Sequence, residues 1–461
     1  MRKLLRHHPR FFLIATLAAL ALRLLFLLRF PAITSDSFIY GDIAKNWLQH
    51  GIYGLSAPDG PAPTFLRLPG YPAFLAAIFA VFGMEHYRAV LVLQILLDIG
   101  TCFLIADLAR RLVPPRAAMA AFLLAALCPF LANYAAAALT ETLEIFFTVL
   151  AFEAAVIGLS HLDAGKLRPW IACGLAVAAC ILLRPDGGLL LISLAVYLGW
   201  ILLHRARVGQ PHWPVMRAGL IVSLLALAPL VPWTLRNLHS LHRAEVLAPR
   251  YATEENEVTP VGFNRWTRTW IVDYASTEEV YWSVPGSTID PDKLPARAFD
   301  SLEENQQTRQ LISDYNDVQH LTPELDARFA ALAEQRIRQK PLRYYLWLPI
   351  LRSADMWLRP RTEILPSDTR WWEFNDDPRW SALAVIVGII GLLYVALALL
   401  GWIRGGFLPE TGLLLAFLVL RTLFLSTIEN PEPRYTLECY PVILILAATV
   451  WRGHSCPREP A

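Results

Sequence analysis

Long apolar runs separated by short polar connections dominate the chain. A run of about 17–25 apolar residues is long enough to cross the hydrocarbon core of a bilayer as a helix. A helix in the core of a soluble protein would instead carry a polar stripe along one face. We therefore predict ten membrane spans, over residues 11–30, 89–108, 117–134, 142–159, 170–183, 188–203, 220–235, 381–403, 412–424 and 440–451.

The composition agrees with this pattern. Of the 461 residues, 55% are hydrophobic and only 17% are charged, and the net charge of +2 gives no reason to expect a nucleic-acid partner. The first apolar run follows a basic segment, as in a secretory signal. It is long for a signal and is interrupted by Arg23, and no clear small-residue cleavage site follows it. We interpret it as an uncleaved first span.

The basic residues test the direction in which the chain threads the membrane. With the first residues in the cytoplasm, fifteen of them fall in cytoplasmic segments: Arg2, Lys3, Arg6, Arg10, Arg110, Arg111, Arg116, Lys166, Arg168, Arg205, Arg207, Arg217, Arg404, Arg452 and Arg458. Five fall in the short segments opposite: Lys45, Arg67, Arg88, Arg184 and Arg434. This bias is the one that membrane proteins show. The outer polar region has no N-glycosylation sequon, which favours a bacterial inner membrane.

The predicted fold class is an all-α polytopic membrane protein in three parts. Residues 1–235 form an N-terminal transmembrane module with a first outer loop at 31–88. Residues 236–380 form a mainly helical extracytoplasmic domain with an interfacial helix at 344–360, and 381–461 form C-terminal transmembrane helices.

Several shorter segments carry local signals. Residues 69–83 are apolar but short, and we expect a re-entrant or interfacial helix there. Thr322 before Pro323 predicts a helix start, and residues 299–318 are predicted to be helical. The aromatic-rich stretch 263–274 is expected to be a strand or an interfacial loop. The six cysteines show no metal-ligand or disulfide spacing and are interpreted as packing residues.

The first outer loop is unusually polar for a segment that follows a membrane span. Its sequence is ITSDSFIYGDIAKNWLQHGIYG, in which Ser35 or Asp36 is expected to cap a helix that Gly51 ends. Asp36 and Tyr40 then share one face of this helix, while Asp42 lies on another. Asp36 is either only the helix cap or a functional carboxylate at the boundary between water and lipid.

Further charged and aromatic residues fall at the outer ends of other spans. They are Arg67, Glu141, Arg184, Asp186, Arg434 and Tyr435. Each alone is explained by a helix end or a turn, but together they place carboxylates, arginines and tyrosines at one interface. With Tyr40 and Asp42 they form a set of candidate substrate-binding residues. The set suits a reaction on a lipid-linked phosphate, because arginine holds phosphate well and a carboxylate can act as a base beside it.

Five motifs occur in a characteristic order: SDSFIYGDIAKNWLQHGIYG, RLPGYPAFLAAIFAVFG, TET, RPDGG and PEPRY followed by YP. In these motifs the chain resembles the GT-C class of membrane glycosyltransferases, and in particular the family-39, protein-mannosyltransferase-like and RgtA/B/C/D-like branches. The resemblance implies a GT-C bundle that moves a sugar from a polyprenyl-phosphate donor to a lipid, glycan or protein acceptor on the non-cytoplasmic face.

The resemblance also implies roles for three residues. Asp36 matches the first-loop aspartate that acts as general base, and Arg67 and Arg434 match basic residues at the donor phosphate. The chain departs from the protein-mannosyltransferase pattern, in which an Asp-Glu pair occupies this loop, because Ser37 follows Asp36. This departure favours a bacterial relative over a protein mannosyltransferase.

Cofactors, partners and one alternative complete the sequence-based expectations. No cluster of metal-ligating residues argues for a tight site, so we expect no cofactor, while a weakly bound divalent metal is compatible with the pattern. The expected partners are the lipid-linked donor, the acceptor and membrane lipids. The alternative is a polytopic transporter or lipid flippase, which would predict inverted repeats and charges near the bilayer midplane. No repeat is visible, but Arg23, Asp98, Glu144 and Glu153 are intramembrane ionisable residues.

Overall fold

The computed structural model describes residues 1–249, 251, 258–375, 377–405 and 411–451. Helices account for 74% of the structure, which confirms the predicted helical polytopic fold class. The longer elements are helices α1 Arg2–His7, α2 Pro9–Arg29, α3 Ser35–His50, α4 Gly70–Phe82, α5 Tyr87–Leu112, α6 Pro115–Ala126, α7 Pro129–Ala135, α8 Glu141–Ser160, α9 Arg168–Leu183, α10 Gly188–Arg207, α11 Trp213–Leu227, α12 Leu230–Leu241, α13 Val261–Thr267, α14 Tyr274–Ser276, α15 Leu302–Val318, α16 Pro323–Gln339, α17 Leu348–Leu358, α18 Pro378–Gly405, α19 Thr411–Leu425 and α20 Tyr440–Ala448, with a hairpin of strands β1 Gly54–Ala57 and β2 Gly60–Pro63.

In the described part of the chain, six helices are long and apolar enough to cross a membrane. They are Pro9–Arg29, Tyr87–Leu112, Glu141–Ser160, Pro185–Arg207, Trp213–Leu241 and Pro378–Arg404. The pair α6 and α7, bent by 50°, makes a seventh if it is one broken span. The other three predicted spans are helices of 16, 15 and 9 residues, namely α9, α19 and α20. Each of the ten predicted spans therefore corresponds to an apolar helical segment, and within the described residues at most seven of these have the length and composition of full spans.

The chain divides into two compact units. The first unit comprises Met1–Pro249, Leu393–Leu420 and Leu437–Ala461, and the second comprises Arg250–Leu392 and Arg421–Thr436.

A buried ion pair joins three helices of the first unit. The Arg23 Nε of α2 lies 2.5 Å from Asp98 Oδ2 of α5. The same guanidinium donates to the carbonyl oxygens of Ala125 and Ala126, at 3.3 Å and 2.6 Å, where α6 ends before the bend to α7. Charged groups inside a bilayer are stable only when they are paired, and carbonyls at a helix end need donors. Pairing within the bundle therefore accounts for these two intramembrane charges.

The residue that caps the start of helix α3 lies one or two positions before the residues predicted from the sequence. Thr34, rather than Ser35 or Asp36, precedes the first helical residue, and its amide donates to Ser37 Oγ at 3.0 Å. The Ser37 hydroxyl in turn donates to the Ala138 carbonyl at 2.9 Å, which fastens the start of α3 to the segment before α8. The predicted end is confirmed, because Gly51 has the left-handed backbone conformation, with φ of 70°.

The second unit has a core rich in aromatic side chains. Trp266, Trp270 and Phe329 are fully buried and pack α13 against α16. The strand expected over 263–274 was wrong, because residues 263–267 belong to α13. Residues 268–273, between α13 and α14, form turns and loop, which agrees with the other expectation. The predicted helix start is confirmed: Thr322 Oγ1 accepts from the Leu325 amide at 3.2 Å.

The cysteines behave as packing residues where the structure describes them. Cys102, Cys128, Cys173, Cys180 and Cys439 are free and buried. Cys456 and the two basic residues Arg452 and Arg458 lie outside the described residues.

Candidate active site

An ion pair between Asp36 and Arg67 lies at the start of α3. Asp36 is the second residue of the helix, and its Oδ1 lies 2.7 Å from Arg67 Nη2. The side chains are 30% and 23% exposed, so both reach solvent. A carboxylate in the first turn is also favoured by the helix dipole. The structure thus joins the predicted base to a predicted phosphate ligand, and the capping position belongs to Thr34.

Tyr40 lies one turn further along α3 and extends this group. The Arg67 guanidinium carbon is 5.6 Å from the centre of the Tyr40 ring. Burial raises the pKa of Tyr40 to about 12, and the charges of Arg67, Asp36, Arg184 and Glu141 all act on its hydroxyl. Tyr40 therefore lies within electrostatic reach of four of the predicted site residues of the first unit.

Arg184 is surrounded by carboxylates near the start of α8 and the end of α9. Its Nε lies 3.1 Å from Asp186 Oδ1 and 3.5 Å from Glu144 Oε2, and its Nη1 lies 3.3 Å from Glu141 Oε1. The carboxylate of Glu438 adds to the negative charge around the same guanidinium. Glu141 and Glu144 are each 1% exposed, so this cluster is almost entirely buried.

Glu144 and Glu438 were not among the predicted site residues. Glu144 carried a usable signal, because it follows Glu141 by three positions in TETLE and therefore shares its helix face. Glu438 is 254 positions from Arg184 in the numbering, and nothing local in RYTLECYP indicates that contact.

Asp42 holds the hairpin to helix α3. Its two carboxylate oxygens accept from the Ser56 amide and the Ser56 hydroxyl, each at 2.7 Å, and Lys45 Nζ lies 3.3 Å away. Burial alone would raise the pKa of the Asp42 carboxyl, but the bonds from Ser56 and Lys45 hold the pKa below its ordinary value. The substrate-binding role of Asp42 stays a prediction.

In the second unit, Arg434 and Tyr435 converge on one carboxylate. Arg434 Nε lies 2.6 Å from Glu432 Oε2, and the Tyr435 hydroxyl donates to the other oxygen of Glu432. The Arg434 guanidinium also covers the Tyr435 ring at 5.4 Å. Glu432 is 1% exposed and was not among the predicted residues, although it is the acid of the PEPRY motif.

A second buried acid of this unit lies within electrostatic reach of that group. Burial raises the pKa of Glu363 to about 7, and the charges of Arg361, Glu432 and Arg434 also act on it. Neither Glu363 oxygen has a hydrogen-bond partner among the residues that the structure describes. The convergence of Arg434 with Asp36 and Arg67 on one substrate stays a prediction.

Over the part of the chain that the structure describes, no set of three or more histidine, cysteine, aspartate or glutamate side chains is arranged to hold a metal ion.

Part of the chain is similar to a known protein family. Residues 61–233, which include Arg67, Glu141, Arg184 and Asp186, match the family described as dolichyl-phosphate-mannose-protein mannosyltransferase. No curated protein sequence matches the chain significantly.

Two solved structures illustrate the structural likeness. The archaeal oligosaccharyltransferase AglB from Archaeoglobus fulgidus, in complex with an inhibitory peptide and a dolichol-phosphate, matches with a TM-score of 0.51 and 13% identity over 96% of this chain and 50% of AglB. ArnT from Cupriavidus metallidurans, bound to undecaprenyl phosphate, matches with a TM-score of 0.43 and 14% identity over 95% of this chain and 77% of ArnT.

At its low identity the likeness to AglB shows a shared fold, and this chain spans about half the length of AglB. Together with the family match, it confirms the resemblance predicted from the sequence motifs. The chain is a helical multi-pass membrane protein with the GT-C fold, similar over residues 61–233 to the dolichyl-phosphate-mannose-protein mannosyltransferase family.

Proposed function

We propose that the chain is a membrane glycosyltransferase that moves a sugar from a polyprenyl-phosphate donor to a lipid, glycan or protein acceptor. The proposed site is on the non-cytoplasmic face of a bacterial inner membrane. The observation that carries the proposal is the partly exposed pair of Asp36 and Arg67, with 2.7 Å between Oδ1 and Nη2. It joins a candidate base to a candidate phosphate ligand.

Asp36 acts as the general base in this proposal. An acceptor hydroxyl must lose its proton as its oxygen attacks the anomeric carbon, and a positioned carboxylate accelerates such a step about 10²–10⁴-fold. The Asp36 carboxylate has a fixed place for this task, because α3 is anchored through Ser37 to the Ala138 carbonyl. Its side chain is 30% exposed and therefore accessible to a hydroxyl group.

Arg67 and Arg434 act on the leaving group. When the bond to the sugar breaks, the phosphodiester of the donor becomes a phosphate monoester and gains negative charge. Arginines placed at that phosphate stabilise the transition state more than the ground state. The neighbourhood of Arg67 beside Asp36 supports this role for Arg67, while the role of Arg434 rests on its place in the PEPRY motif.

The remaining predicted residues shape the site in this proposal. Tyr40, Glu141, Arg184 and Asp186 form its buried side, and Tyr435 supports Arg434 through Glu432. We expect no tightly bound metal, and a weakly bound divalent cation remains compatible with the reaction. The ligands named for AglB, a dolichol-phosphate and a peptide, support a lipid-linked donor and do not identify the acceptor of this chain.

The direct test uses the purified full-length protein and a panel of polyprenyl-phosphate sugars that includes hexoses and pentoses. Released polyprenyl phosphate is measured with and without a membrane extract that supplies acceptor. We expect release from at least one donor, dependent on the acceptor. If no donor is consumed with any extract while the protein remains folded, the proposal is wrong.

A further inference from the structure

The second unit contains an open cavity of about 440 Å³, lined by both charged and aromatic side chains. It lies beside α14, the carboxyl end of α17 and the turn at Trp371–Glu373. Its volume is within the range of about 300–1,000 Å³ that small-molecule sites occupy. All of its lining residues belong to this one unit, and none of them has a role in the proposed transfer reaction.

One wall of the cavity consists of two adjacent tryptophans. The rings of Trp371 and Trp372 are 5.7 Å apart and nearly perpendicular, at 86°. The side chain of Trp372 is 46% exposed, whereas Trp266 and Trp270 of the same unit are fully buried in its core. Large aromatic rings kept at an accessible cavity wall offer a flat apolar surface, which suits a ligand that has one apolar face.

The charges of the lining are already balanced by the protein. Each arginine of the lining has a carboxylate partner: Arg297 with Asp273, Arg359 with Asp355, and Arg370 with Glu279. A phosphate group entering the cavity would therefore meet Asp273 and Asp355 as well as guanidinium groups. A neutral ligand with many hydroxyl groups fits better, because each hydroxyl can donate to a carboxylate oxygen and accept from a guanidinium.

We propose that this cavity binds one pyranose ring of a neutral saccharide. The apolar C–H face of the ring stacks on Trp372, and its hydroxyls bond with Arg297, Arg359 and Asp355. The proposal goes beyond sugar transfer and does not depend on it, because the binding requires neither donor nor turnover.

The test is a binding titration of the full-length protein in lauryl dimethylamine oxide, since detergents with sugar headgroups would compete. The probes are the methyl glycosides of glucose, mannose and galactose, followed by saturation-transfer NMR. We expect saturable binding of at least one glycoside. If none binds saturably, or if inorganic phosphate at equal concentration displaces the glycoside, the saccharide assignment is overturned.

Two variants locate the binding. Trp372→Leu removes the stacking surface and should weaken binding about fivefold to tenfold. Trp347→Leu is the matched control, because Trp347 is 57% exposed in the same unit and does not line the cavity. Unchanged affinity in Trp372→Leu, or equal loss in the control, contradicts the proposal.

Discussion

Replacing Arg67 with glutamine should separate its contribution to catalysis from its contribution to folding. The ion pair between Arg67 and Asp36 involves side chains that are 23% and 30% exposed. Partly exposed pairs of this kind contribute about 0–1 kcal/mol to stability. The glutamine amide can still donate to the Asp36 carboxylate. We therefore expect Arg67→Gln to lower the free energy of unfolding by less than about 1 kcal/mol.

The effect on the reaction should be much larger. A hydrogen bond to a charged group is worth about 1.5–3 kcal/mol, and losing it at the leaving phosphate corresponds to a fall in kcat/KM for the donor of about 10- to 150-fold. The ratio of these two effects distinguishes a phosphate ligand from a residue that only supports the fold.

Arg184→Gln is the matched control, because the same chemical change there should act on the fold. Arg184 is surrounded by Glu141, Glu144 and Asp186, whose side chains are 2%, 1% and 12% exposed. Removing one partner from a buried charge cluster costs about 3–5 kcal/mol. We expect Arg184→Gln to lose most of its folded population in detergent.

Both variants are compared with the wild type by thermal unfolding and by initial rates at varied donor concentration. The reasoning is refuted for Arg67 if kcat/KM for the donor stays within twofold of the wild type. It is refuted for the structural argument if Arg67→Gln unfolds as readily as Arg184→Gln.

Three further predictions concern other parts of the chain. Arg434→Lys keeps a charge beside Glu432 but loses the planar fork that holds phosphate, so KM for the donor should rise several-fold with unfolding unchanged; an unaltered KM removes Arg434 from the donor site. Burial raises the pKa of Asp355 in the folded protein to about 6. The folded protein therefore loses stability as the pH rises from about 4 to about 6, where its Asp355 binds more protons than that of the unfolded chain. Asp355→Asn should therefore gain up to about 3 kcal/mol over the wild type across that range, as measured by chemical unfolding; parallel pH profiles contradict this. Single cysteines at Asp292 and Asp163, which are 79% and 71% exposed, should react with an impermeant thiol reagent from opposite sides of the membrane, with Asp292 on the outside; equal labelling from one side contradicts the proposed threading.

The helical bundle could be predicted from the sequence because the bilayer leaves the backbone few choices. A segment inside lipid must satisfy its own backbone hydrogen bonds, so an apolar run of sufficient length becomes a helix whatever its neighbours are. The ends of α2 and α8 could accordingly be predicted to within two residues. It was harder to predict which helices have the length of full spans, because α9 and α19 are apolar but short.

The grouping of Asp36 with Arg67 could be foreseen only through the resemblance. Their separation of 31 positions spans a hairpin and a turn, and no periodicity links residues across such a segment. The cap at Thr34 was missed because several residues in TSDS are good capping residues, and the contact from Ser37 to Ala138 that selects among them is long-range. The place of Glu438 beside Arg184 depends likewise on tertiary packing.

Segment 263–274 shows how an aromatic-rich sequence can mislead. Aromatic side chains favour strands and membrane interfaces on average, and both expectations followed from that preference. Helix α13 forms over 261–267 because Phe263 and Trp266 fall on one face and bury that face against α16. Trp270 joins the same core from the turn that follows the helix. Packing partners distant in the sequence thus decided the local structure.

The most direct test of the account is the turnover of Asp36→Asn with the donor that the wild type uses. Asparagine preserves the size of the side chain but cannot take a proton from the acceptor hydroxyl. The account predicts a fall in kcat of about 10²–10⁴-fold with a thermal unfolding curve like that of the wild type. Turnover within a few-fold of the wild type would contradict the assignment of Asp36 as the base, and with it the proposed mechanism.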